Sequence, residues 1–518
     1  MSARPVPRTA LLYELAFAFL SVACVWPLFY VRYAPIQDLP QHLAAIRVLH
    51  DFDDPRFGFT RFFELHLGRT QYLAYYVAAD VLAFVFPLEL ANKLLIAAAL
   101  IATPYAARGL LSALGKDGRL ALLLFPLAYN AHLILGFLNF IAAIPLSLLG
   151  VAWAVQQRRR FSRARAFGLA VLCVVCFYTH VVPFALMAVG VALVSLARDP
   201  RVSARGLLPL LPSAVAALVW MQASPAGQAT WTAARGAERG PRPEFIPAAL
   251  AWREAPRWLT DVLSGDADLR LLYAWAALCV LACLLALGQR VLPRTAARED
   301  AAAPDALARN LSWRLALLPA LCVALYFAMP TSYDWIWPIA QRFPLLAAVW
   351  LVIALPRFRF GKNALCALTI VVSCASFHFV GKAFAAFERE EVADFDQALS
   401  VLPQGARVVG LIFDRGSRNV AFSPFIHYVA YYQARKGGAV MFTFADFPQS
   451  PFGFRPDDRP PRVPPRWEWM PERVRPRADL GFYDFALVRG GPGPIARRGS
   501  GFVPIYRGAR WSVWKHLR

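Results

Sequence analysis

The sequence predicts an α-helical polytopic membrane protein with about 11 transmembrane helices and a small C-terminal extracytoplasmic α/β domain. The 518-residue chain is 58% hydrophobic and only 17% charged, whereas soluble domains are about 45–50% apolar and about 25% charged. Its apolar residues also fall in blocks of roughly 20, the length that a helix needs to cross a bilayer. A soluble cytosolic enzyme is therefore excluded.

The predicted transmembrane domain covers residues 1–384. Its first apolar block exceeds the core of a signal peptide, and no small-residue cleavage site follows it, so we expect a retained span. Residues 119–156 are interrupted by Pro, Asn and Gly, and are too long for one straight helix and short for two. They predict a broken or re-entrant segment. Spans are predicted at 11–31, 72–88, 91–110, 119–156, 166–197 (a pair), 206–224, 269–292, 313–330, 344–356 and 363–384.

The charge pattern predicts the topology. The chain carries a net charge of +22, and Lys and Arg of membrane proteins gather in cytoplasmic loops. Basic clusters at 158–165, 198–205, 294–314 and 357–362 predict a cytoplasmic N-terminus and an outer C-terminal domain, with outer segments at 32–71, 225–268 and 331–343. One loop disagrees, because Arg108, Lys116 and Arg119 would then lie outside.

The same composition indicates a location and excludes one partner. An excess of Arg over Lys and the missing signal peptide favour a bacterial inner membrane, with a periplasmic or extracellular C-terminal domain. A nucleic-acid partner is not expected, since topology explains much of the positive charge. All eight cysteines lie in predicted spans, so no disulfide framework is expected in the outer domain: Cys24, Cys173, Cys176, Cys279, Cys283, Cys322, Cys366 and Cys374.

Residues 385–518 change in character and predict the outer α/β domain. Apolar runs shorten to strand length, and residues 393–401 predict a helix before a Pro-Gln-Gly turn. The predicted strands are 408–413, 440–444, 485–488 and 511–514.

The first outer loop contains the pattern PIQDLPQHL over residues 35–43. At helical spacing its leucines form an apolar stripe, and Asp38 and His42, four residues apart, share the adjoining face. A helix lying on the bilayer surface would present this pair as base and partner, or as a site for a metal or a phosphate. Alternatively, Asp38 is a helix N-cap, with Gln41 completing a capping box.

With this loop the chain resembles the GT-C superfamily of polytopic glycosyltransferases, which use lipid-phosphate-linked sugars. The resemblance extends to a His in a tight turn between spans (His180), to Gln341-Arg342-Phe343-Pro344 just before a span, and to the compact outer domain. It implies an inverting transfer of a sugar from a polyprenyl-phosphate donor to an outer acceptor.

The resemblance implies that Asp38 is the catalytic base. Many members have two adjacent acids at this point, where Gln37-Asp38-Leu39 supplies one. This difference argues against a metal-assisted mechanism, so no cofactor is assigned, and Mg²⁺ or Mn²⁺ stays an open alternative. The leaving lipid phosphate needs a cation, and Arg suits it through bidentate hydrogen bonds. We therefore expect His42, His180 and Arg342 to bind substrate or phosphate, although Arg342 would equally serve as an interfacial anchor.

Other candidates carry weaker signals. Asp51 to Asp54 contain a D-x-D, which is also an ordinary solvated turn, and Asp80 is an acid inside a predicted span. Asp334 offers a structural partner for Arg342, and His427 has no evident partner. Basic and aromatic residues of loop 225–268 would bind a lipid pyrophosphate or form an interfacial belt: Trp231, Arg235, Arg239, Arg242, Trp252, Arg253, Arg257 and Trp258.

Two other functions stay open. One is a transporter or flippase of a lipid-linked glycan, although transporters often contain inverted repeats and we find no repeat here. The other is a non-catalytic envelope assembly protein whose outer domain binds partners. The sequence does not indicate an oligomeric state, the sugar or the acceptor.

Overall fold

A computed structural model describes residues 8–68, 70–225, 227–228, 242–291, 306–334, 336–357, 361–461 and 467–517. Its helices are α1 (Arg8–Tyr30), α2 (Leu39–His50), α3 (Phe59–Phe62), α4 (Leu73–Ala83), α5 (Leu88–Ala113), α6 (Ala131–Leu135), α7 (Leu138–Arg159), α8 (Arg163–Thr179), α9 (Val181–Ser195), α10 (Pro200–Leu207), α11 (Leu211–Ala223), α12 (Ala248–Leu259), α13 (Ala267–Val291), α14 (Ala306–Leu315), α15 (Leu317–Ala328), α16 (Phe343–Ala354), α17 (Lys362–Phe387), α18 (Phe395–Ser400), α19 (Val429–Lys436) and α20 (Pro476–Asp479).

The helical part has the composition of a membrane domain, as the sequence predicts. Among the described residues, 7 helical segments are long and apolar enough to cross a membrane, and four shorter apolar helices accompany them. Large apolar side chains such as Val22, Phe84 and Leu218 are exposed on the outside of the bundle. An apolar exterior of this extent fits a lipid environment.

The C-terminal domain contains a mixed five-stranded sheet. The strands of the protein are β1 (Phe63–Leu65), β2 (Pro243–Glu244), β3 (Ser332–Tyr333), β4 (Arg407–Ile412), β5 (Ala439–Val440), β6 (Phe452–Phe454), β7 (Phe485–Arg489), β8 (Phe502–Arg507) and β9 (Trp511–His516). The sheet order is β5-β4-β7-β9-β8. Strands β5, β4 and β7 are parallel, and β9 runs antiparallel to β7 and β8. The expected strands at 408, 485 and 511 are thus present, whereas the one at 440 is shorter.

The helical bundle has two distinct faces. The domain face carries the C-terminal domain, to which the first loop is joined by the antiparallel pair β1–β6. On the opposite face, the loop after α5 meets the segment between α16 and α17. There Lys116 Nζ donates to the carbonyl of Leu355 at 3.0 Å, and Lys362 pairs with Asp117 at 2.7 Å.

The expected span at 72–88 is wrong. Helix α4 has 11 residues, about 16 Å at 1.5 Å per residue, and both of its ends lie at the domain face. Thr70 just before it bonds to the carbonyl of Gln449, and Glu89 just after it pairs with Arg435 at 3.1 Å, both in the C-terminal domain. Because α4 does not traverse the bundle, Arg108 lies on the opposite face beside Glu14. The loop that carries Arg108, Lys116 and Arg119 therefore no longer contradicts the charge pattern.

Residues 119–156 form a broken segment, as one of the two expectations has it, but its two parts each traverse the bundle, so the segment is not re-entrant. A 3₁₀-helix over Gly118–Leu127, followed by α6, leads from the opposite face to Gly136 beside Asp38. Helix α7 then returns over 22 residues. A 3₁₀-helix rises about 2 Å per residue rather than 1.5 Å, which is why a segment too short for two α-helices suffices.

Helix α2 confirms the expected helix after Asp38 but not its place on a bilayer surface. Its stripe of Leu39, Leu43 and Ile46 is buried, and so are Gln41 and His42 on the other side. Arg47 Nε donates to the carbonyl of Ala434 in α19 at 2.9 Å. The helix is therefore enclosed between the bundle and the C-terminal domain.

Candidate functional site

Asp38 faces a histidine of the C-terminal domain. The residue precedes α2, but its side chain makes no capping hydrogen bond, so the alternative of a pure N-cap is wrong. Instead, His427 Nδ1 donates to Asp38 Oδ1 at 2.8 Å. The two side chains are 15% and 12% exposed. Part of the Asp38 carboxylate therefore stays accessible.

His427 lies between two carboxylates. Its Nε2 is 3.6 Å from Glu468 Oε2 on the side away from Asp38. Burial disfavours the charged ring, but the hydrogen bonds and the charges of Asp38 and Glu468 outweigh it and raise the pKa of His427 to about 10. At neutral pH the group is an imidazolium flanked by two carboxylates.

This arrangement does not fit a divalent metal at Asp38. No group of three or more His, Cys, Asp or Glu in the described ranges is placed to hold an ion. The imidazolium of His427 already occupies the position between Asp38 and Glu468 where a cation would bind. We derive no step through Mg²⁺ or Mn²⁺.

His42 has the opposite electrostatic character. Its Nε2 donates to the carbonyl of Gly136 at 2.7 Å, and its Nδ1 accepts from the Tyr76 hydroxyl at 3.0 Å. Burial lowers the pKa of His42 to about 4, although the charge of Asp38 and the bond to Gly136 act against it. His42 is thus a neutral ring with a fixed tautomer.

Gly136 and Phe137 join the Asp38 region to Arg342. Gly136 has a φ of +94°, and a Cβ there would lie 2.7 Å from the Cβ of Asp38, so only glycine allows this approach. The next residue, Phe137, places its ring 5.5 Å from the guanidinium carbon of Arg342. Two adjacent residues therefore contact both ends of the candidate site.

Arg342 is buried and has no acidic partner among the described residues. The residue is 7% exposed, and its Nε has no hydrogen-bond partner within the described part of the chain. The expected structural pair with Asp334 is not found among the described ion pairs, and burial inside the protein argues against an interfacial anchor. A buried guanidinium of this kind calls for an anionic ligand.

Four helix N-termini meet at Arg342. The residues Tyr72, Phe137, His180 and Arg342 immediately precede α4, α7, α9 and α16. The rings of Tyr72 and His180 lie 5.2 Å apart, and the charge of Arg342 acts on both. Helix N-termini carry partial positive charge and unpaired N–H groups. Together with the guanidinium they form a strongly anion-attracting environment.

His180 contributes a neutral ring to this environment. Its Nδ1 accepts from the backbone N–H of Val182 at 3.1 Å. Burial, reinforced by the positive charge of Arg342, lowers the pKa of His180 well below its ordinary value. The capped-turn role and a place beside Arg342 therefore coexist.

The structure thus brings Asp38, His42, His180 and Arg342, which the sequence selects, into one polar cluster with Tyr72 and Tyr76. Tyr76 links the two ends, since its hydroxyl bonds to His42 and it interacts electrostatically with Asp38 and Tyr72. The tyrosines were not singled out from the sequence. The start of an apolar helix by a Tyr is the only local signal that would have found them.

Other sequence candidates lie outside the polar cluster. Asp80 bonds to His50 of α2 at 2.8 Å, so it is an inter-helix contact. Asp51 pairs with Arg47, and Asp54 with Arg56. In loop 225–268, Trp258 stacks on His132 at 6.0 Å while Trp252 is exposed; Trp231, Arg235 and Arg239 lie outside the described residues.

Among the comparisons with known proteins, the one with solved structures finds a similar fold. No protein-family model matches the chain, and no curated protein matches it. The crystal structure of ArnT from Cupriavidus metallidurans bound to undecaprenyl phosphate is similar, with a TM-score of 0.58, 11% identity, and coverage of 98% of this chain and 97% of that one. The apo state of ArnT gives a TM-score of 0.44 at 13% identity, with 98% of both chains covered.

The similarity to the ArnT structure bound to undecaprenyl phosphate supports the expected fold, a polytopic helical bundle with a C-terminal domain. The similarity extends over the helical bundle and the C-terminal domain together, because nearly the whole of both chains is covered.

Proposed function

We propose that this protein is an inverting membrane glycosyltransferase that moves a sugar from a polyprenyl-phosphate-linked donor to an extracytoplasmic acceptor. Asp38 acts as the base, and Arg342, with His180, binds the donor phosphate. The observation that carries the proposal is the buried, unpaired guanidinium of Arg342 at the junction of four helix N-termini. The fold supports it, since the similar ArnT structure is bound to undecaprenyl phosphate.

The geometry suits a direct displacement. An acceptor hydroxyl or amine attacks the anomeric carbon, the bond from that carbon to the phosphate oxygen breaks, and the acceptor proton passes to Asp38. The lipid phosphate leaves with the bonding electron pair. Arg342 stabilises the charge that develops on it, and does so more strongly in a buried site than in water. Attack opposite the leaving group inverts the anomeric centre.

The proposed topology follows the two faces of the bundle. We place the domain face outside the cytoplasm, because the basic clusters at 158–165 and 198–205, together with Arg357 and Lys362, belong to the opposite face. With α4 confined to the domain face and residues 118–159 traversing twice, the chain crosses about eleven times. A bacterial inner membrane with a periplasmic C-terminal domain is the proposed location.

The proposal is tested with Asp38→Asn in purified, reconstituted protein supplied with polyprenyl-phosphate-linked sugars. Loss of the base lowers the rate of transfer by about 100- to 10,000-fold, while the thermal unfolding midpoint stays close to that of the unchanged protein. Asp53→Asn is the matched control, since Asp53 lies in the exposed turn after α2 and outside the polar cluster. Full transfer by Asp38→Asn would contradict the proposed role.

The alternatives predict different results in the same preparation. A flippase would move a lipid-linked sugar between leaflets without forming a product bond. An assembly protein would tolerate Asp38→Asn and bind a partner through its C-terminal domain. An assembly protein gives no reason to bury a guanidinium that has no acidic partner among the described residues. A flippase would bind the lipid phosphate through the same group, so formation of a product bond separates the flippase from the proposed enzyme.

A further inference from the structure

We propose that His427 is a positioning residue for the transfer reaction, which holds one carboxylate oxygen of Asp38 so that the other oxygen faces the acceptor. This inference rests on the function proposed above. It assigns the C-terminal domain a part in the reaction site, because His427 lies 389 positions beyond Asp38 in the chain and belongs to that domain.

The Asp38 side chain has little else to hold it. It caps no backbone N–H of α2, and His427 is its one hydrogen-bonded or ion-paired side chain among the residues described. The main chain is fixed, since Asp38 N donates to the carbonyl of Leu135 at 3.2 Å and Gly136 packs against the Asp38 backbone. The orientation of the carboxylate therefore depends on Nδ1 of His427.

The charged surroundings of His427 make it a double donor. Asp38 faces it from the start of α2, and Glu468 from the loop before α20. Farther out, Arg415 donates to the carbonyl of Trp469, and Asp446 pairs with Arg459. A charged ring donates to Asp38 and keeps its second N–H towards Glu468, 3.6 Å away, whereas a neutral ring has one N–H and leaves a lone pair facing a carboxylate. Only the imidazolium presents an N–H to each of the two carboxylates.

The PIQDLPQHL segment docks the C-terminal domain at the same point. Gln37 Oε1 accepts from the backbone N–H of Ser423 at 3.2 Å, and Gln41 Nε2 donates to the carbonyl of Phe442 at 2.6 Å. These bonds flank the Asp38–His427 pair on either side. Seating of the domain and orientation of the base are therefore coupled.

The test compares pH profiles of kcat/KM for full-length variants in proteoliposomes with the polyprenyl-phosphate donor. We expect His427→Ala to lower kcat/KM about 100-fold, the size of a misplaced reactive group. His427→Asn keeps an N–H donor without charge and recovers about tenfold of that loss. The acid limb of the kcat/KM profile of His427→Asn moves to higher pH by about one unit, because Asp38 loses the cation that stabilises the charge of its carboxylate.

A second variant tests the inference without altering His427. Glu468→Gln removes one of the two negative charges, so the alkaline fall of kcat/KM begins at lower pH while the value at neutral pH changes little. Glu472→Gln is the matched control, since this glutamate is exposed in the same loop and its profile stays that of the unchanged protein.

Distinct outcomes separate this inference from the proposed function. If His427→Ala keeps kcat/KM within twofold and an unchanged profile while Asp38→Asn is inactive, the positioning role is wrong and the proposed function stands. If Asp38→Asn is active as well, the proposed function fails. Should His427→Ala not fold, Glu468→Gln decides, and an unshifted alkaline limb overturns the role of His427.

Discussion

Asp38 and Arg342 mark the two ends of the polar cluster. The charge of Asp38 is balanced by a neighbouring side chain, whereas that of Arg342 is not balanced by any described acid. At one end, Asp38 is matched by the imidazolium of His427, which Glu468 supports from behind. At the other, Arg342 is buried beside aromatic rings with no acid near it in the described chain. Paired charges fix a geometry, whereas an unpaired buried charge costs stability until a ligand supplies its counter-charge. The comparison therefore assigns positioning to one end and anion binding to the other.

Removing the charge of Arg342 should have a large effect on both transfer and stability. We expect Arg342→Met to lower transfer about 100-fold and yet raise the free energy of unfolding by about 1–4 kcal/mol, since an uncompensated buried cation is replaced by an apolar side chain. Thermal or denaturant unfolding in detergent measures the second effect. A variant that is both inactive and less stable would contradict the anion-binding assignment.

Arg489 provides the matched control for this prediction. It is also buried, at 1% exposure, but its Nη1 donates to the carbonyl of Glu391 at 2.8 Å and its Nη2 lies 3.5 Å from Asp414. Arg489→Met removes these interactions and leaves the buried carbonyl of Glu391 without its donor, so it should lower the stability of the C-terminal domain. The two substitutions are expected to change stability with opposite signs.

A smaller effect should appear in the pH dependence of stability, because His42 and His427 are shifted in opposite directions around one carboxylate. The pKa of His42 is about 4 when folded, below the unfolded value of about 6.5. The unfolded chain then binds more protons between these values, so this contribution is complete above pH 6.5 and is lost as the pH falls towards 4. His427, with a folded pKa of about 10, stabilises fully below pH 6.5, and this contribution is lost as the pH rises through 10.

Each histidine should therefore govern one side of the stability curve. We expect His42→Gln to flatten the acid side and His427→Gln the alkaline side, by on the order of 1–3 kcal/mol each. Unfolding measured from pH 5 to pH 10 for both variants tests this assignment. If His42→Gln flattened the alkaline side and His427→Gln the acid side, the assigned protonation states of the two histidines would be reversed.

The smallest effect concerns the docking contacts beside Asp38. Gln41→Ala removes one hydrogen bond to the carbonyl of Phe442 and should cost about 1 kcal/mol, seen as a modest rise in protease sensitivity of the C-terminal domain. Gln397→Ala, on an exposed surface of α18, should leave that sensitivity unchanged. If Gln41→Ala strongly raised the protease sensitivity of the C-terminal domain, this one hydrogen bond would supply most of the stability of the interface.

Local patterns in the sequence predict much of this structure. The spacing of Leu39, Leu43 and Ile46 predicts α2 and its buried stripe, and the short apolar runs after residue 385 predict the main strands of the sheet. The polar face of α2 and the Arg before a late span also indicate Asp38, His42 and Arg342 as candidates. Each of these signals lies within a few residues of the feature that it predicts.

Features set by distant contacts could not be predicted in this way. His427 is separated from Asp38 by 389 positions, and no spacing relates them. Helix α4 is apolar because it packs against neighbouring helices and exposes apolar side chains such as Val77 and Val81, and hydropathy does not distinguish such a helix from one that crosses. The double traverse of residues 118–159 depends on a 3₁₀-helix. Its greater rise per residue cannot be predicted from the amino-acid composition of the segment.

The most direct test of the central claim measures the binding of undecaprenyl phosphate to detergent-solubilised protein in the absence of acceptor. We expect Arg342→Met to weaken the binding of undecaprenyl phosphate at least about tenfold, because one charge-assisted contact to phosphate is worth about 1.5–3 kcal/mol. Arg342→Lys, which keeps the charge, should retain part of the affinity, and Asp38→Asn should bind as the unchanged protein does. Equal affinity of Arg342→Met and the unchanged protein would contradict the assignment of Arg342 to the donor phosphate.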